Sequence, residues 1–356
     1  MTWWQRILAL LRWYLKSKHG PFDPDPDDDA QDDTPTPAPD PAGDHMLRRI
    51  WKGPTAAYKL VGMMAVTEGI LVTVCNVYRG GNRSEIWLLS NLDKTPCDAE
   101  RIYKGGQETI GQPIKFDGVI YFPVEHGSRV LAYKDGHVST AGPTKGRWSV
   151  CGVVYDGQPC MAYNNSYGGD RTFRDYPVLA DARNGHLVKT LAVKAMPRKF
   201  TTLKGRVYFT HNFGDTGITD LAGNNINCDA VHCQAFNSRM YVGYGAAWGR
   251  DAGVHTADAS ICRIDIDGDP RTLLNPDSAA IQCMAVIQRR LYVCAIDPDR
   301  LYAMDADENV ELIAEVKGET AANKARSFGA SVCERNGIVF WGRSDNARAQ
   351  VYAIEG

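Results

Sequence analysis

The chain of 356 residues has no apolar run approaching the roughly 18 residues that a membrane span requires. The longest early stretch, Ile7 to Leu11, is bounded by Arg6 and Arg12, so no spanning helix is expected. Net charge is nearly absent, -2 from 40 Lys+Arg against 42 Asp+Glu; with no global basic field, nucleic acid is not the expected ligand. What charge there is segregates. Residues 1–18 hold no acidic side chain, and residues 19–45 hold nine Asp and no Lys or Arg. Because Arg6 and Arg12 interrupt the apolar start and no small-residue cleavage site follows, the start reads as retained rather than as a secretory signal.

Catalytic signatures are also missing. No Gly-x-Ser-x-Gly, Walker-type or His-Glu-x-x-His motif occurs, and the Ser-x-Asp-x-Gly-x-Thr-Trp boxes of sialidases are absent, which demotes a glycosidase. Cys228, His232 and Cys233 are three soft ligands, but two of them are adjacent and cannot easily face one ion from a strand. Asp265, Asp267 and Asp269 resemble the opening of a calcium loop, yet its twelfth position is Pro276 where a glutamate is required. The expectation is no metal, no cofactor and no catalytic residue. The ten cysteines lie mostly in apolar, strand-like stretches and read as reduced thiols of a protein assembled in a cytoplasm.

What is present divides into three parts. Residues 1–18 read as an amphipathic anchor helix. At 100° steps Trp3, Trp4, Ile7, Leu8, Leu11, Tyr14 and Leu15, with Leu10, share an arc of about 160°, and Arg6, Arg12 and Lys16 lie opposite. Thr2 can cap this helix, and Gly20-Pro21 stops it. So wide an apolar face calls for a surface: a groove on another protein, a membrane interface, or the chain's own C-terminal domain. Residues 19–45, rich in Pro and Asp, read as an extended acidic linker reaching as far as ~75 Å.

Residues 46–356 repeat one signal, a turn followed by an apolar-aromatic strand. The copies are Gly69-ILVTV, Gly118-VIYF, Gly157-QPCMAY, Gly205-RVYFT, Ser238-RMYVGY, Arg289-RLYVCA and Gly337-IVFW. Seven units spaced on average about 45 residues apart match the blade period of a β-propeller. Hairpins turning on Asp, Asn or Gly recur in step, as in AYKDGHV at 132–138 and LYAMDADENVELI at 301–313. The last unit has room for only three strands, while RRIWKG at 48–53 repeats ERIYKG at 100–105, an internal fourth strand. The expected fold is therefore all-β, a seven-bladed propeller closed by the N-terminal strand, with no open sheet edge.

LYAMDADEN resembles the repeat of quinoprotein-like propellers, whose strand of the type LYALDA precedes a turn. The resemblance covers one strand pair per blade and implies the fold; no cofactor is carried across, because the tryptophan that often ends those repeats is missing. The layout of terminal anchor, stiff spacer and β-domain resembles phage tail-tip and fibre proteins. That resemblance implies a non-enzymatic virion structural or recognition protein of a tail or baseplate. Its helix would dock on other virion proteins, and its propeller would meet a host surface protein, a glycan or another virion protein. The alternatives are a peripheral membrane scaffold anchored by the Trp-rich helix and a propeller enzyme.

In a propeller the links between second and third strands open on the same face as the links between blades. Two are long, NNSYGGDRTFRDYP from Asn164 and YGAAWGRDAGVHTAD from Tyr244, and HNFGD at 211–215 falls between them in blade order. The candidate binding residues are Tyr167, Arg171, Arg174 and Tyr176 on the first, His211, Phe213 and Asp215 on the second, and Trp248, Arg250 and His255 on the third. Aromatics beside arginines suit both sugars and protein interfaces.

Overall fold

The computed structural model describes residues 45–54, 59–76, 83–106, 108–125, 129–143, 149, 151–164, 175–212, 217–226, 230, 232–244, 260–264, 271–276, 278, 280–296, 298–316, 330–345 and 348–355. The expected anchor helix and all of the expected linker before His45 lie outside these residues. The described chain is all-β: seven four-stranded antiparallel sheets form the blades of a propeller.

The innermost strands of blades 1 to 7 are Lys59–Ala65, Ile114–Phe116, Gly152–Tyr155, Met196–Leu203, His232–Phe236, Ala280–Ile287 and Ser331–Arg335. Each of the seven repeated motifs proves to be a second strand. Their nearly continuous apolar character follows from burial on both faces. In Arg290–Ile296 of blade 6, Leu291, Val293 and Ala295 pack toward blade 5, and Tyr292, Cys294 and Ile296 pack toward blade 7. The core accordingly consists of seven hydrophobic clusters among the described residues, one at each blade-to-blade contact.

The turns from first to second strand explain the polar punctuation of the repeat. In blades 2 to 7 two residues turn the chain, both with positive φ, such as Asp117 and Gly118 at 47° and 74° or Gln288 and Arg289 at 48° and 63°. That geometry matches the twist of the flanking strands and favours Asn, Asp and Gly. The Asp at the end of the third strand has a separate task. Asp220 Oδ1 accepts from the backbone N–H of Ala222 and Asn224, and Asp305 does the same for Asp307 and Asn309. Each carboxylate satisfies donors that the turn would otherwise leave open.

Glycine matters where blades approach most closely. A Cβ on Gly243 would stand 2.7 Å from Ile281 of the next blade, and one on Gly342 would stand 2.6 Å from Met63 Sδ. Both lie two positions past the aligned aromatic of their motif, where the next inner strand presses in.

Closure follows the expected route. Met46–Lys52 is the outer strand of blade 7, antiparallel to Arg348–Glu355, with Trp51 opposite Val351. Ile50 and Trp51 are buried in the cluster shared by blades 7 and 1, against Leu60 and Val72. Arg48 adds an ion pair to Glu355 at 2.6 Å.

Candidate binding face and axial channel

Three described stems carry the links singled out above. Asn164 Nδ2 donates to the carbonyl of Asp175 at 3.3 Å, His211 pairs in register with Gly217, and the Tyr244 N–H donates to the carbonyl of Ser260 at 3.0 Å. They belong to blades 3, 4 and 5 and leave from the same end of each blade, opposite the tight turns. The strand pairings thus bring the three stems side by side on one face.

Of the candidate binding residues, Tyr167, Arg171, Arg174, Phe213, Asp215, Trp248, Arg250 and His255 lie outside the described residues. Tyr176 is half exposed, with Lys194 Nζ 5.1 Å from its ring centre, a cation–π contact on the stem. His211 differs from its expected place on the rim. It is 2% exposed, bonded to Thr219 Oγ1 at 2.9 Å and packed on Phe209. The reason is strand extent: Arg206–Asn212 continues through His211, so its side chain belongs to the sheet.

The same end gathers much of the buried charge. Asp299 opens a third strand in blade 6, Arg343 nears the end of a second strand in blade 7, and the two pair at 2.5 Å. Arg343 also donates to Gln350 Oε1, which accepts from Tyr352. This hydrogen-bonded set satisfies a guanidinium only 3% exposed on its side chain and ties two blades together.

A cavity of about 330 Å³ is lined by residues 112–114, 151–154, 199–202 and Gln234, all at the inner edges of blades 2 to 5, and so lies along the propeller axis. Met196–Leu203 bulges between Pro197 and Lys199, which breaks the strand's alternation and presents Arg198 and Lys199 in succession. Both cations pull the thiol of Cys151 downward, although burial prevails and pushes it up to about 12. Burial likewise pushes the Glu125 carboxyl up to about 7 against the opposing pull of Arg198. His232 is driven down to about 3, by burial first and then by the charge of Lys199, so its ring is neutral at ordinary pH. Cys233, the next residue, is fully buried in the cluster between blades 4 and 5. The two side chains therefore face opposite ways, and they do not converge on one ion.

The axial group was missed in the sequence because Arg198 and Lys199 read as ordinary polar positions of a strand. The bulge that re-aims them has no residue signature, although two successive cations in an inner strand were a usable hint. Among the described residues no group of three or more His, Cys, Asp or Glu could hold a metal ion.

No protein-family model matches the chain, and no curated protein matches it in sequence. Solved structures do resemble it. A streptogramin B lyase superposes with a TM-score of 0.54 at 12% identity, over 87% of this chain and 98% of that one. Sqt1 of Saccharomyces cerevisiae gives 0.52 at 11% identity, over 87% and 100%. BBS1N, crystallised in complex with ARL6DN, gives 0.54 at 10% identity, over 87% and 97%. Likeness at such identities establishes the seven-bladed fold; function resides in what each ring carries.

Proposed function

We propose that this chain is a non-enzymatic recognition scaffold, a structural component of a phage tail or baseplate whose propeller binds a protein or glycan on the face carrying the three links. The observation that carries the reading is the side-by-side emergence of those stems on blades 3, 4 and 5. A closed ring supports it mechanically: the paired outer strand of blade 7 leaves no open edge there, so loops can vary on a rigid body. The neighbour BBS1N, held in complex with ARL6DN, is an instance of such a ring meeting a protein. The assignment to a virion rests on the sequence layout of apolar helix, acidic spacer and β-domain.

The test is co-sedimentation of the full chain with the parent particle, compared with the Leu8→Asp/Leu11→Asp double variant. Wild-type chain in the particle fraction, with the variant lost from it and its propeller still folded, is the expected result. Retained attachment of the variant would move the docking function to the propeller. Absence of both from particles, with salt-sensitive binding of a 1–20 peptide to anionic vesicles, would replace the virion reading by a membrane scaffold.

A further inference from the structure

The axial cavity carries a charge that nothing else in its lining answers. Among the described residues its only ionised lining side chain is Lys199, and no described carboxylate borders it. None of the ion pairs among the described residues includes Lys199. It stands on the inner strand of blade 4, between the lining residues of blades 2 and 3 and Gln234 of blade 5. The neighbouring cation, Arg198, has Glu125 to offset it; among the described residues Lys199 has no such counterpart.

The groups around it match one kind of ligand. Gln234 donates one hydrogen of its Nε2 amide to the carbonyl of Ala235 at 3.2 Å, which leaves the second Nε2 hydrogen as a donor. The amide of Gln112 and the exposed hydroxyl of Thr202 border the same space, and Ile114, Val154 and Phe200 supply apolar wall. A cation held among protein walls has less water than a surface lysine and gains correspondingly from an anion. Lysine serves oxyanions as a compact point charge, and amides and hydroxyls add hydrogen bonds. The volume falls at the small end of ligand pockets, which run from about 300 to 1,000 Å³.

We propose that the axial cavity is a binding site for a small oxyanion-bearing molecule, a carboxylate or a phosphate ester, with Lys199 as its charge partner and Gln112, Gln234 and Thr202 as its hydrogen-bonding groups. The site is separate from the loop-bearing face and stands whether or not that face binds a protein.

The experiment is isothermal titration calorimetry of the full chain at constant ionic strength in chloride, with inorganic phosphate and acetate as separate probes. At least one probe should bind with unit stoichiometry. Lys199→Gln should weaken that binding tenfold or more, and Lys199→Arg, which keeps the charge, should retain it. Binding of phosphate alone identifies a phosphate ester as the ligand class, and binding of acetate alone a carboxylate. Should Lys199→Gln not fold, Thr202→Val with Gln234→Leu takes its place, with weakened binding expected. Failure of both probes to bind, or unchanged binding in the charge-removing or hydrogen-bond-removing variant, overturns the proposal.

Discussion

Removing the outer strand of blade 7 tests how the ring stays shut. Two truncations separate the strand from what precedes it: one lacking residues 1–44 and one lacking residues 1–53. The second loses Ile50 and Trp51, which are 0% and 5% exposed; burying side chains of this size contributes about 1.5–3 kcal/mol each, or about 3–6 kcal/mol together. The strand's backbone hydrogen bonds contribute about 1 kcal/mol each, and the entropy of ordering seven residues opposes them at a similar magnitude. The partly exposed Arg48–Glu355 pair adds at most about 1 kcal/mol. The two apolar side chains therefore decide the balance. With an unfolding entropy of about 2.1 cal/mol/K per residue over roughly 310 residues, the loss corresponds to a fall in Tm of about 5–9 °C. It also bares Arg348–Glu355 as an unpaired edge, so self-association should rise. Calorimetry and sedimentation velocity measure both effects. In the full chain, Trp51→Ala should lower stability by about 3–5 kcal/mol without creating an edge. Equal melting temperatures and equal sedimentation of the two truncations would refute the closure argument.

Three other outcomes are expected. Trp248→Ala with Arg171→Ala should weaken binding to the partner by about 30-fold, the equivalent of about 2 kcal/mol at an interface anchor, and leave the melting curve unchanged; equal affinity would remove these two from the interface. Burial, and then the charge of Lys199, hold the His232 imidazole down to about 3 in the folded chain, below the ordinary histidine value of about 6.5, so the unfolded chain takes up a proton first, and stability should fall as pH drops from about 6.5 toward 3. His232→Asn should flatten that part of the pH–stability profile, and an unchanged slope would place the acid sensitivity elsewhere. Cys283 and Cys294 stand directly opposite one another on adjacent strands of blade 6 and are the pair expected to cross-link first under a thiol oxidant. Mass spectrometry of unreduced native protein should find both alkylatable after unfolding, and a native disulfide between them would contradict assembly in a reducing compartment.

Much of the architecture could be read along the chain because a propeller is a nearly one-dimensional object. Each blade repeats the same local problem, a two-residue turn with positive φ and a strand buried on both faces, and each solution leaves Asn, Asp or Gly beside an apolar run. The same logic exposed the closure strand, since RRIWKG must do for blade 7 what ERIYKG does for blade 1. Cys283 stands opposite Cys294 for the same local reason, because the two-residue turn at Gln288 and Arg289 sets the register outright.

Features that depend on several blades at once left no such trace. His211 reads as the first residue of a loop, and its burial depends on how far the sheet extends and on Phe209 and Thr219 packing about it. Asp299 and Arg343 are 44 residues apart in different blades, and their pairing exists only because the ring brings a third-strand start against a second-strand end. Lys199 is one cation in a strand until a bulge beside it and four converging inner strands make it the charged group in the wall of a cavity. Turn and strand periodicity are local and therefore written in order along the chain. The channel's charge and the blade-to-blade ion pair are set by distances across the ring, which composition and spacing do not encode.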